Sequence, residues 1–251
     1  MIRKFFGLFL TLLAILASQS AYADLQAIIV GDTVSPTGGA AALDIRRVEK
    51  QLKDIKRHTG LHVNCTVLTD TQVTSDQVLK VLDQIAVGED DVVIFYYLGH
   101  GYRTSLKKSV WPFLYLCNDA RGMDLSLIVE RIMLKKPRMA LIVADCCNNV
   151  MDDEFKQPWE AKYPLKRHMV YPDRGYKELF VKFKGIIVAC GSELGEYAYC
   201  HQGGHFYTDA LLKSIKEEVV STSPSWEKLL ERARLNVKFV QNAYHEILTV
   251  Y

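Results

Sequence analysis

Short runs of apolar, β-branched residues alternate along the chain with longer stretches in which apolar side chains recur every third or fourth position. The first pattern suits strands covered on both faces, and the second suits amphipathic helices. Strands are predicted at LQAIIVG (25 to 31), HVNCTVL (62 to 68), DVVIFYYL (91 to 98), MALIVA (139 to 144) and GIIVAC (185 to 190). Between residues 41 and 58, Ile45, Val48, Leu52 and Ile55 form an apolar stripe, and Gly60 supplies a stop. A helix over 75 to 87 takes Thr74 or Ser75 as its N-cap, Val78, Leu82 and Ile85 as its stripe and Gly88 as its end. Further helices are predicted at about 124 to 134, 206 to 219 and 225 to 242. Such alternation is the mark of an α/β domain with a mainly parallel sheet. The segment 148 to 178 has no clear periodicity and is expected to be a long loop.

Composition leaves this outline intact: 251 residues, 49% hydrophobic and 24% charged, suffice for one sizeable core. The N-terminus changes it. Arg3 and Lys4 precede the apolar run FFGLFLTLLAILA, and Ala21, Tyr22 and Ala23 form an A-x-A cleavage site. Residues 1 to 23 therefore read as a secretory signal peptide, leaving 24 to 251 as one domain. The apolar run is too short for a bilayer, which takes about 20 residues, so no stable membrane anchor is expected after cleavage. Removal of Arg3 and Lys4 takes the formal charge from +2 to zero, which argues against nucleic acid as a partner. The expected location is periplasmic or secreted, where disulfides can form. The spacing of Cys65, Cys117, Cys146, Cys147, Cys190 and Cys200 shows no C-x-x-C pattern and assigns no pairing.

Candidate chemistry gathers at two strand ends. In a parallel α/β sheet, ligands bind at the carboxyl ends of the strands. The strand DVVIFYYL runs into Gly99, His100 and Gly101, and MALIVA runs into Asp145, Cys146 and Cys147. If these strands are neighbours, an imidazole and a thiol meet at one edge. A free thiol is only a few per cent ionised near neutral pH, and a histidine can serve it as base or as ion-pair partner. Backbone amides at Gly101 and Cys147 could then stabilise an oxyanion, with glycine permitting close approach.

The motif FYYLGHG, followed by ADCCNN, resembles the caspase and metacaspase superfamily of cysteine peptidases, with its Y-S-G-H-G histidine strand and its D-x-C-H-S-G or Q-A-C-R-G cysteine strand. LYLCNDA (114 to 120) and GGHFYTDALLKSI (203 to 215) are similar to further family segments, so the resemblance spans most of residues 25 to 242. It implies a three-layer α/β/α sandwich around a mainly parallel sheet of about six strands. It implies a cysteine endopeptidase acting on polypeptides, with His100 as base and Cys147, the second residue after the aspartate, as nucleophile. Cys146 becomes its non-catalytic neighbour. By the same resemblance Asp145 lines the pocket for the P1 side chain and suggests cleavage after Arg or Lys, while Leu98, standing where relatives have serine, alters a pocket wall. Asp32, Glu193 and Glu196 fall where pocket loops should approach, with Glu193 taken as a substrate-binding candidate.

Relatives are cut after the nucleophile during activation, and the 148 to 178 loop carries Lys156, Lys162, Lys166, Arg167, Arg174 and Lys177 as candidate processing points. Asn148, Asn149 and Val150 replace His-Ser-Gly of the family motif; asparagine tolerates left-handed backbone, so Asn148 or Asn149 is expected to support the turn there. An inactive, peptide-binding relative is the alternative reading. An α/β-hydrolase with a thiol nucleophile fits poorly, since it needs glycines where Asp145 and Asn149 stand. Cys200, His201 and His205 lack an evident fourth zinc ligand, so no metal and no cofactor is expected, with calcium dependence and oligomeric state open.

Overall fold

The computed structural model describes residues 23 to 119, 122 to 150 and 172 to 248. The proposed signal peptide, apart from Ala23, and Lys156, Lys162, Lys166 and Arg167 lie outside the described residues. A central six-stranded sheet has the order β11, β8, β7, β3, β1, β2, in which β1 is Asp24–Gly31, β2 His62–Thr69, β3 Val92–Leu98, β7 Met139–Asp145, β8 Gly185–Cys190 and β11 Tyr244–Leu248. All neighbours run parallel except β11, which is antiparallel to β8.

Side-chain alternation along the strands divides the interior into two cores. Leu25, Ala27 and Ile29 of β1 face one side with Ile94, Tyr96, Leu141 and Val143. Ile28 and Val30 face the other with Phe95, Tyr97, Ile142 and Ala144. Helices α1 (Gly38–Thr59), α4 (Asp173–Lys177), α5 (Phe206–Glu218) and α6 (Trp226–Val237) cover the first side. Helices α2 (Ser75–Gln84) and α3 (Leu125–Leu134) cover the second. The result is the expected three-layer α/β/α sandwich.

The helix ends follow their residues. The Thr74 hydroxyl accepts from Gln77 N and caps α2, and Gly60 takes φ 81° to close α1. Helix α2 stops at Gln84 rather than at Gly88, because Ile85 already turns extended. The predicted helix over 225 to 242 ends at Val237, and its last residues lead instead into β11. The expected loop 148 to 178 also needs correction at its C-terminal end. Asp173–Lys177 is helical and continues as a π-helical segment, Glu178–Lys182, whose Phe180 packs edge-on against Trp226. Arg174 and Lys177 therefore stand in helical backbone, anchored where Gln51 Nε2 donates to the Tyr176 hydroxyl at 3.0 Å.

Small strands sit above the carboxyl edge: β4 (Gly101–Tyr102), β5 (Phe113–Leu114) and β6 (Met123–Asp124) in one sheet, β9 (Cys200–His201) and β10 (Gly204–His205) in a hairpin. They lie on the rim the strand ends define. Cys65, Cys117, Cys146, Cys147, Cys190 and Cys200 are all free thiols.

Candidate active site

Strands β3 and β7 are direct parallel neighbours, with Leu98 opposite Asp145 at their carboxyl ends. They stay together beyond those ends: Gly99 N donates to Asp145 O at 3.4 Å, Arg103 N donates to Asn149 O at 2.8 Å, and Arg103 bridges Val150 in parallel. His100 and Cys147 thus leave adjacent strands at the same level. The alternation also agrees, because Tyr96 and Leu98 face the same core as Leu141 and Val143, and steps of two lead to His100 and Cys147.

The flanking glycines have a physical reason. A Cβ on Gly101 would lie 2.4 Å from the Cys147 carbonyl oxygen and 2.5 Å from Cys146 Sγ. On Gly99 it would lie 2.9 Å from the Tyr97 hydroxyl and 3.0 Å from Asp32 Cβ. Only glycine lets the histidine strand approach the cysteine turn this closely. The Tyr97 hydroxyl, wholly buried, sits between the carbonyl oxygens of His100 and Tyr115 and holds this backbone from below.

A family model described as a caspase domain matches residues 26 to 250. The chain belongs to the caspase domain family. In three dimensions it is similar to protein GSU0716 from Geobacter sulfurreducens, with a TM-score of 0.60 and 14% identity over 91% of this chain and 94% of that one. A likeness at that identity speaks for the fold alone. No curated protein matches the chain. Family and fold make this protein a member of the caspase-like cysteine peptidase superfamily, whose substrates are polypeptides.

Within this caspase domain the two candidate side chains, His100 and Cys147, are each engaged elsewhere. His100 Nε2 lies 3.3 Å from Thr37 Oγ1, which itself lies 3.0 Å from Ser35 Oγ. The Cys147 thiol donates to Ala198 O at 3.3 Å and accepts from Ala198 N at 3.4 Å. No hydrogen bond joins the two among the described residues. Burial, only partly offset by the Ala198 contact, pushes the Cys147 thiol above its ordinary value. Cys146 is buried in the opposite core, its thiol pushed far up by burial, and is inert packing.

Asp145 is wholly buried. Its Oδ2 accepts from Thr208 N and from Thr208 Oγ1, both at 2.7 Å, and so caps α5, whose own N-cap residue, His205, gives no side-chain bond. Its Oδ1 has no hydrogen-bond partner among the described residues and lies against Gly191, where a Cβ would come within 2.3 Å. Burial raises the Asp145 carboxyl above the ordinary carboxylate value, with His205 and the Thr208 bonds opposing. The segment 191 to 199 covers this carboxylate as well as gripping the thiol. Gln241 braces both ends of that segment, accepting from Tyr199 N at 2.9 Å and donating to Gly191 O at 2.7 Å.

Leu98 is buried beside Asp145 in the sheet. Glu193 is half-buried on the covering segment, where its backbone N–H donates to Asn242 O at 2.6 Å. Glu196 is exposed and offers its carbonyl to Asn148 N at 2.9 Å. Asp32 is buried, accepting from Val34 N and Ser35 N through Oδ1, and its Oδ2 has no partner among the described residues.

The turn after Cys147 is not held by left-handed asparagine. Asp70 and Lys136 are the non-glycine residues with positive φ among those described. Asn148 works through its side chain instead, accepting from Arg103 Nη1 at 3.0 Å and donating to Val110 O at 2.7 Å. Of the zinc candidates, His205 Nδ1 is bonded to Asp44, and the His201 ring lies on Phe206 with centroids 4.6 Å apart. Sequence reasoning missed Thr37, Ala198 and Thr208. Thr37 could have been sought, because the loop after β1 opens on the same rim; Ala198 acts through its backbone and leaves no trace in residue type.

Proposed function

We propose that this chain is an exported cysteine endopeptidase in which Cys147 attacks the scissile carbonyl, His100 acts as its base, and Asp145 favours Arg or Lys at P1. The observation that carries the reading is the in-register pairing of β3 with β7, which brings the ends bearing His100 and Cys147 to one rim and one face. With burial favouring the neutral thiol, His100 would remove its proton as sulfur attacks, then deliver it to the leaving amine. A thioester forms on Cys147, and water completes hydrolysis. The Gly101 and Cys147 amides would stabilise the oxyanion. A buried carboxylate oxygen without a partner is costly, and a guanidinium would satisfy it with a charge-assisted bond. The expected export rests on the N-terminal sequence, and processing within 148 to 178 rests on its basic residues.

The covered Asp145 and the diverted Cys147 and His100 favour a second reading, an inactive peptide-binding relative. In the first reading, substrate displaces the segment 191 to 199 and thereby opens the pocket and releases the thiol together. Cleavage of peptides with P1 Arg, Lys or Asp, with Cys147→Ala beside wild type, tests the activity and its preference. A thiol-directed probe carrying P1 Arg should label Cys147 and lose that labelling in His100→Ala. Absence of both cleavage and labelling would leave the inactive reading standing.

A further inference from the structure

His205, at the end of β10, is buried and immediately precedes α5, whose Thr208 N–H donates to Asp145 Oδ2. Its backbone N–H donates to Asp44 Oδ2 at 2.6 Å, and its Nδ1 lies 3.0 Å from the same oxygen. Asp44 comes from α1 and is wholly buried; its Oδ1 accepts from Arg47 Nη1 at 3.0 Å. Gly204 makes this approach possible, with φ 115° and a Cβ position only 2.4 Å from Asp44 Oδ1. Other ionisable groups face the cluster from each packed element: Asp145 of β7, Tyr96 of β3, Cys200 opposite His205 in the hairpin, Tyr207 and Asp209 of α5, and Cys190 of β8.

The buried charges here balance only with His205 protonated. Arg47 is shared between Asp44 and Asp209, at 3.0 and 3.8 Å. Against the two buried carboxylates of Asp44 and Asp145 stand two cations, Arg47 and a protonated His205, while Asp209 is exposed to solvent. The carboxylate oxygen of this pair without a hydrogen-bond partner among the described residues is Asp145 Oδ1. If His205 were neutral, Arg47 would still pair with Asp44, and the buried Asp145 carboxylate would lose the imidazolium charge that opposes the effect of its burial.

We propose that His205 is the resident counter-ion of the pocket: held by Asp44 as an imidazolium, it keeps Asp145 ionised and so sets the preference for a cationic P1 side chain. The assignment rests on the peptidase reading with Asp145 in the P1 pocket. Burial works against the charged imidazole, yet the Asp44 bond and the Asp145 and Asp44 charges outweigh it and leave His205 above its ordinary value. Proton and substrate cation therefore meet the same cluster at two places, one permanent and one transient. His205 touches no reacting atom and acts through Asp145 as a specificity-determining residue.

The test compares peptides with P1 Arg and P1 citrulline, its uncharged near-isostere, in wild type and His205→Asn, across pH 5.5 to 9, about one unit beyond the usual histidine range on the acid side. Asparagine keeps a donor for Asp44 without the charge. His205→Asn should raise KM for the Arg peptide about tenfold near neutral pH, equivalent to one pKa unit of lost ionisation at Asp145. It should leave kcat nearly unchanged and recover affinity as pH rises and Asp145 ionises unaided. Wild type without an Arg preference would overturn the basic-P1 reading and the role of His205 with it. Wild type that prefers Arg beside a variant with the same preference and pH profile overturns the role of His205 alone. An arm independent of turnover follows the His205 C2–H resonance by NMR in Cys147→Ala: adding Asp145→Asn should lower the imidazole pKa, and an unmoved titration overturns the pairing.

Discussion

At the residue scale, the close approach of the two strand ends at the rim depends on a glycine. Gly101 carries no positive φ, so its need is for close approach to Cys146 and Cys147 alone. Gly101→Ala should force the histidine strand off the cysteine turn and cost about 1–3 kcal/mol. Peptidase activity should be lost while the protein still melts as one unit, which denaturation and labelling at Cys147 would show together. Asp145 has one oxygen bonded to Thr208 and one without a partner among the described residues, and substitutions can separate the two. Asp145→Asn can still accept from Thr208 through its amide oxygen, so it should keep stability within about 1 kcal/mol and lose discrimination between Arg and citrulline. Asp145→Ala removes the α5 cap and leaves the buried Thr208 N–H unsatisfied, which costs about 1–3 kcal/mol more. Thermal unfolding beside the peptide panel distinguishes the two effects.

At the element scale, α4 and its π-helical extension show how a segment without clear periodicity becomes ordered. It is short, and its apolar residues Tyr176, Leu179 and Phe180 do not repeat for long enough to be read as a stripe. What secures it is the wholly packed Trp226 of α6, whose Nε1 donates to Leu179 O at 2.8 Å while its ring meets Phe180. Trp226→Ala should cost about 3–5 kcal/mol. Limited proteolysis should then cut near residues 172 to 182 before the sheet opens. Strand β11 was hidden for a related reason: Tyr244–Leu248 is half-buried at a sheet edge, and its pairing with β8 rather than its own pattern makes it a strand.

At the scale of the whole molecule, the buried cluster makes stability depend on pH. Folding raises the His205 imidazole above its ordinary 6.5, so the folded protein binds that proton more tightly than the unfolded chain. The resulting stabilisation is complete below about 6.5 and disappears as pH rises through the folded value. Asp145 acts with the same sign at lower pH, because its carboxyl is raised above its ordinary 3.8 and stability falls as pH climbs from there. Melting curves should show the Tm gap between wild type and His205→Gln narrowing from pH 6 to about pH 9, a range set by the histidine value. A gap independent of pH would mean that the His205 proton is not taken up on folding.

Much of the architecture was legible because strand burial and helix amphipathicity are local and periodic. The alternation of apolar runs announced the parallel strands, their covering helices and the edge where FYYLGHG and ADCCNN end. The sequence by itself therefore determined the layers and the candidate residues His100, Cys147 and Asp145. Tertiary structure alone decided what those residues touch: Thr37 against the imidazole, the Ala198 backbone against the thiol, and Thr208 against Asp145. Such contacts join positions far apart in the chain through single hydrogen bonds, often to the main chain. They have neither period nor residue preference to mark them until the backbone has closed.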